Sequence, residues 1–297
     1  MTRTLKPLTG FRIVSTAINI PGPLALARLC SLGATAVKVE PPGGDLLASA
    51  CPSWYEELHL GVEVVSLDLK DKNNIRKLEL FLDEADLLLT SSRLASLERL
   101  GLGWPFLSSR FPKLLQVAII GHHPPDDHIP VHDLTIQADL GLLDPPQLPK
   151  TLVADLAGAE RAVSTALSLI LSWKVEASGS PAADHDRIAY VSLAEAASTF
   201  AIPPKYGLTG SDNPLGGLLP GYYIYRAKEG WVVVAALEEH FRKRFAHEFT
   251  LGQITHTNLA NLFNQRPAQE WEKWAVENDF PIVGVKDVGN IRSKKDD

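Results

Sequence analysis

The sequence predicts an α/β fold, in which a large domain with a mainly parallel sheet precedes a smaller α+β domain. Three observations carry that expectation. The first 120 residues alternate β-branched apolar runs with stretches of helical spacing. The segments joining those runs suit right-handed crossovers, which make the strands parallel and cover the sheet on both faces. Near the C-terminal third, two runs of period two flank a Lys-Glu-Gly turn, the signature of a hairpin.

In order, Phe11 to Ser15 reads as a buried strand that stops at Ile20-Pro21-Gly22-Pro23. Leu24 to Leu32 has helical spacing, and Gly33 suits a helix C-terminus because glycine accepts the left-handed backbone. Ala36 to Val39 and Val62 to Leu67 are the next strands, and Asn73 to Leu82 is a helix. Asp86 to Leu89 and Leu115 to Ile120 complete five strands. From His132 to Ala197 the pattern is mainly helical, with one strand near Ile188 to Val191. The expected organisation is a large Rossmann-like domain over 1–200, a linker over 201–211 and a small domain over 212–290. A charged tail occupies 291–297. The small domain holds the hairpin Tyr222–Arg226 and Trp231–Ala235, then helices over Glu238–Thr250 and Pro267–Asn278. Ligands of such parallel sheets bind beyond the carboxyl ends of the strands, where Pro21-Gly22-Pro23, Glu40 to Gly44 and Gly121 fall.

Composition narrows the function. With 297 residues, 45% hydrophobic and 22% charged, the chain has ample material for a core. A net charge of −6 speaks against a nucleic-acid partner, which calls for a basic stripe. No apolar run reaches the roughly 20 residues that span a bilayer. The stretch Met1 to Pro7 lacks a signal-peptide apolar region, so the expectation is a cytoplasmic protein without a membrane partner. Cys30 and Cys51 make no disulfide framework and are expected to be buried. Gly-x-Gly-x-x-Gly, a P-loop and Gly-x-Ser-x-Gly are all missing from the sequence.

Two stretches carry candidate chemistry. His132-Asp133 opens an apolar helix, and Asp155 stands at the start of a longer one in Leu152-Val-Ala-Asp-Leu-Ala-Gly158. Imidazole and carboxylate together supply acid/base groups or a carboxylate nucleophile. The plainer readings are that Asp133 caps a helix, that Asp155 favours a helix dipole and that Glu238 is a first-turn charge. His122, His123, Asp126, Asp127, His128, His132 and Asp133 are dense enough to invite a metal reading. Their spacing matches no ligand motif and three prolines stiffen the loop, so a solvated loop is expected and no metal.

Several motifs, colinear over most of the chain, resemble the class III CoA-transferase (CaiB/BaiF) family, and within it the α-methylacyl-CoA racemases. They are Pro7–Val14, Pro21-Gly22-Pro23, Leu32–Asp45, Leu67–Lys70, Ala85–Leu89, Arg93 with Leu97–Gly103, His132-Asp133, Leu152–Gly158, Gly230–Glu238 and Gln269–Trp271. The resemblance implies a homodimer and a small-molecule acyl substrate presented as a coenzyme A thioester, with no tightly bound cofactor. It also implies CoA contacts from Pro21, Gly22, Lys38 and Arg93, although Lys38 read alone is a snorkelling strand residue. The expected reaction is racemase-like proton transfer beside a thioester through His132 and Asp155, supported by Glu238. The alternative is CoA transfer to a carboxylate through a thioester on Asp133. A third reading is a scaffold repurposed for a non-CoA substrate or for binding alone. Its motive is that Leu60-Gly-Val-Glu63 stands where the family has a basic segment, and Gly121-His-His-Pro-Pro125 where it has a glycine-rich loop.

Overall fold

The computed structural model describes residues 5–176 and 187–286, and the tail at 291–297 lies outside them. The chain divides into two compact units between Ala201 and Ile202.

In the first unit, β1 (Arg12–Ser15), β2 (Thr35–Glu40), β3 (Glu63–Ser66), β4 (Leu87–Thr90), β5 (Leu115–Ile120) and β6 (Ile188–Ser192) form one sheet. Its order is β3-β2-β1-β4-β5-β6 and every pairing is parallel. Between the strands run α1 (Pro21–Ser31), α2 (Leu46–Ala50), α3 (Pro52–Leu58), α4 (Lys72–Leu82), α5 (Leu94–Arg99) and α6 (Trp104–Arg110). After β5 come α7 (Asp133–Asp139) and α8 (Val153–Glu176), and after β6 comes α9 (Leu193–Ser198).

Strand alternation splits the core into two layers. Ile13, Leu87, Leu89, Val117 and Ile119 point to one face and meet Leu26 and Leu29 of α1 with Ala159, Ala162 and Ala166 of α8. The alanines let α8 lie close to the sheet. Val14, Val37, Val39 and Leu88 point to the other face, against Leu78 and Leu82 of α4, Leu97 of α5 and Leu107 of α6. Gly158 of α8 has a packing reason, because a Cβ there would sit 2.2 Å from Leu193 Cδ2 of α9. No described helix is long and apolar enough to cross a membrane.

The second unit begins with α10 (Ile202–Lys205), so Pro203 and Pro204 fall inside a short helix and not in extended chain. Proline is tolerated there because first-turn N–H groups have no partner to lose. An antiparallel sheet of β7 (Tyr222–Arg226), β8 (Trp231–Ala235) and β9 (Ile282–Gly284) packs on α11 (Glu239–Glu248), α12 (His256–Phe263) and α13 (Ala268–Glu277). Tyr225, Val232, Val234 and Ile282 meet Phe245, Phe263, Trp271 and Phe280 in its core, and Trp271 Nε1–H donates to the Phe263 carbonyl at 2.9 Å. Cys30 and Cys51 are half-buried free thiols and not fully buried ones, and burial pushes the Cys30 thiol up.

Candidate active site

The strand order reverses at β1, which has β2 on one side and β4 on the other. Chains leaving β1 and β4 therefore diverge to opposite sides and open a crevice at the carboxyl ends. A cavity of about 250 Å³ occupies that place. Ile18, Asn19 and Pro21 line it from the loop after β1, Ser91 and Arg93 from the loop after β4, and Gly121, Asp127 and His132 from the loop after β5. Asp155 enters from the first turn of α8. Gly121 lets the wall close, since a Cβ there would sit 2.4 Å from Val131 Cγ2.

His132 and Asp155 thus line one cavity although 22 residues of sequence separate them. Burial pushes the Asp155 carboxyl up to about 6, the negative Asp133 adds to that rise, and His132 opposes it. Arg93 is exposed at the start of α5 and its guanidinium has no ion pair or hydrogen bond to a described residue. That leaves it open to an anionic ligand.

Asp133 behaves differently. It is 4% exposed and does not line the cavity. Its Oδ1 accepts from the backbone N–H groups of Ala154 at 2.6 Å and Asp155 at 3.2 Å, while Oδ2 accepts from Gln137 Nε2 at 2.5 Å. The residue does cap a helix, but the helix is α8 and not its own. At α7 the cap is made by Thr135, whose hydroxyl accepts from the His132 N–H at 3.0 Å. The expected nucleophile Asp133 thus has both carboxylate oxygens held by donors and does not line the cavity, whereas Asp155 does. Its influence on Asp155 is electrostatic, since its negative charge adds to the rise of that carboxyl. Asp133→Asn is therefore expected to lower the pKa of Asp155, though burial keeps it above the ordinary 3.8. Carbon-13 NMR of labelled aspartate checks this, and an unchanged Asp155 titration would refute it.

Lys38 also moves out of the site. It is 0% exposed in β2, an interior strand, so it neither snorkels nor reaches a phosphate. Its ammonium meets Asp45 Oδ2 at 2.6 Å, Glu40 Oε1 at 2.9 Å and His59 Nε2 at 3.0 Å. Burial lowers the His59 pKa, so the ring is neutral, gives its Nδ1–H to the Tyr55 carbonyl at 2.6 Å and accepts from Lys38. Each of the three ammonium protons has a partner. Gly22 is likewise a packing residue: a Cβ there would sit 2.4 Å from Ala17 Cβ, and it does not line the cavity as Pro21 does. Glu238 is the exposed N-cap position of α11 in the second unit, without a side-chain cap bond.

In the histidine-rich loop, His123 Nε2 pairs with Glu195 at 2.8 Å and His128 Nδ1–H donates to the Pro125 carbonyl at 2.8 Å. Among the described residues no three His, Cys, Asp or Glu side chains are arranged to hold a metal. Asn19, Ser91 and Asp127 line the cavity and were not among the site residues the sequence singled out as binding or catalytic groups. Their position on the strand-end loops of β1, β4 and β5 was the available signal.

A crevice at the switch point of a parallel sheet, holding an elevated carboxylate and an open arginine, defines a small-ligand site of the doubly wound α/β class. The model of CoA-transferase family III matches residues 8–296, and the chain belongs to that family. It is 33% identical over 148 residues to the probable fatty acyl-CoA transferase Rv3272 of Mycobacterium tuberculosis, covering 46% of this chain and 38% of that protein. It is 30% identical over 140 residues to the cinnamoyl-CoA:phenyllactate CoA-transferase of Clostridium sporogenes, covering 43% and 34%. The matched stretches thus span well under half of these relatives. The crystal structure of Rv3272 superposes with a TM-score of 0.82 at 21% identity, covering 97% of this chain and 87% of that one. A CaiB/BaiF family protein from Brucella suis gives 0.75 at 20% identity, covering 97% and 86%. These two likenesses establish the fold.

Proposed function

We propose that this chain transfers coenzyme A from an acyl thioester to a carboxylate acceptor, with Asp155 as the carboxylate that carries CoA. The observation that supports this most is Asp155 itself, the half-buried carboxylate that faces the strand-end cavity while its neighbour Asp133 is locked into the helix cap. The relatives bearing transferase names favour transfer over the racemase-like reading.

The chemistry balances without a redox step. Asp155 Oδ adds to the thioester carbon and the C–S bond breaks, leaving an acyl-aspartyl anhydride and the CoA thiolate. The thiolate adds to the aspartyl carbon and expels the donor acid as its carboxylate, so CoA now rests on Asp155 as a thioester. The acceptor carboxylate repeats both steps in reverse order and leaves as the new acyl-CoA. Arg93 attracts the anionic groups of the reactants, and His132 favours the ionised form of Asp155. Because that carboxyl titrates near 6, the transfer rate is expected to fall about tenfold per pH unit below that value.

Intact-protein mass spectrometry after incubation with acetyl-CoA or succinyl-CoA tests the reading. The expected adduct is one CoA less one water, mapped to Asp155 by peptide analysis. An adduct on another residue overturns it. So does α-proton exchange in heavy water without any adduct, which instead supports proton transfer between His132 and Asp155 as a second reading, since both line the cavity. Assembly as a homodimer belongs to the same proposal, and sedimentation of a monomer at micromolar concentration removes it.

A further inference from the structure

Asn19 stands in the loop between β1 and α1 with a backbone φ of +68°, in the left-handed region. Three other described residues besides glycines share that sign, Asp212, Thr250 and Asp279, and none of them lines the cavity. A left-handed residue in a tight loop is normally glycine, because a side chain adds strain there. Asparagine tolerates the region better than most, so its presence alone decides nothing.

The surroundings decide more. The loop backbone is held without help from the Asn19 side chain. The Ile18 N–H donates to Ser91 Oγ at 3.0 Å, and the Asn19 N–H donates to Asp45 Oδ1 at 3.0 Å. Asp45 is fixed in turn by the Leu47 N–H at 3.0 Å and by buried Lys38 at 2.6 Å. That buried cluster thus serves as the anchor of one cavity wall. The Asn19 side-chain amide, by contrast, makes no hydrogen bond to a described residue, and the residue lines the cavity with Asp155, His132 and Arg93. Glycine at this position would satisfy every backbone contact with less strain. What asparagine adds is one amide, a donor and an acceptor, at a residue that lines the same cavity as Asp155.

We propose that Asn19 is a catalytic residue whose amide N–H donates to the thioester carbonyl oxygen as negative charge builds there. The proposal rests on the transfer reading above. When Asp155 Oδ adds to the carbonyl carbon, the C=O electron pair moves to oxygen, and a donor fixed beforehand stabilises that charge without reorganising. The rigid backbone, pinned by Asp45 and Ser91, supplies the fixed placement.

The test compares Asn19→Gly, Asn19→Ala and Asn19→Asp in the full chain, reading thermal midpoint, acetyl-CoA affinity and the rate of adduct formation on Asp155. Asn19→Gly is expected to keep or raise the midpoint and to bind acetyl-CoA within a few-fold of the parent. Its adduct should form about 10²-fold more slowly. Asn19→Ala should lose rate similarly and also lose midpoint, because it keeps the strain. Asn19→Asp should be slower than Asn19→Gly, since a carboxylate repels the developing charge. An Asn19→Gly variant with the parent rate makes Asn19 a turn residue and overturns the proposal, as does a fall in its midpoint matching the fall in rate. Absence of an adduct in the parent chain defeats the Asp155 reading, an outcome distinct from either of these.

Discussion

Lys38→Met is expected to destabilise the first unit by about 3–5 kcal/mol, the cost of leaving buried charges without their partner. The lysine stands between Asp45, which has no side-chain exposure, and Glu40, with 8%. Methionine fills a similar volume, so packing changes little and the charge effect is isolated. Asp45 keeps its two backbone donors and Glu40 keeps the Tyr55 hydroxyl at 2.8 Å, but both buried carboxylates then lack their cation. The variant is therefore expected to be less stable than the parent at pH 7, where both carboxylates have lost their cation. Chemical denaturation of both proteins across pH 5–8 checks it, and a difference under about 1 kcal/mol at pH 7 contradicts the account. The loss should also slow transfer in the fraction that remains folded, because Asp45 positions Asn19.

The same residue shows where sequence reading stops. The strands were legible because β2, β4 and β5 are buried on both faces and rich in apolar residues. The strand order, and hence the crevice at β1 and β4, was not, because pairing between distant strands leaves no local trace. Lys38 within Val37-Lys38-Val39 resembled a ligand cation, and the partners that hide it come from positions 40, 45, 55 and 59. The hydrogen bonds of Asp133 were hidden for the same reason, since their donor at the N-terminus of α8 lies twenty-one residues on. The short helices α2, α3, α5 and α6 have too few turns to show a period, although Asp45 at the N-cap of α2 was a readable start signal. The missed α12 did carry its pattern, with Thr255 capping and Leu259, Leu262 and Phe263 buried at spacings of three and four. His132 and Asp155 were legible as residues and paired by the resemblance, and the fold adds the cavity that both line.

Asp155→Ala is expected to abolish CoA transfer, with a loss on the order of 10⁴-fold or more, as befits a covalent nucleophile. The companion His132→Ala separates the two chemistries available to this cavity. If Asp155 attacks the thioester, His132 acts by favouring its ionised form, so His132→Ala should raise the Asp155 pKa and move the acid limb of the rate profile upward from about 6. At pH 8, where the carboxyl is ionised regardless, the variant should regain most of its rate. If instead the two residues exchange a proton with the substrate, His132→Ala loses activity at every pH, because a required base is gone. Folding stability moves in a defined direction too. Since the folded-state pKa of Asp155 lies above its ordinary 3.8, the folded protein holds that proton more tightly than the unfolded chain. The carboxyl therefore costs stability as pH rises from about 4 to about 6, and Asp155→Ala should be more stable than the parent above that window. A variant with no transfer and a higher midpoint at pH 7 is the signature of a carboxylate kept for chemistry against its own folding preference. Loss of activity together with loss of stability would instead make Asp155 a structural group and remove it from the reaction.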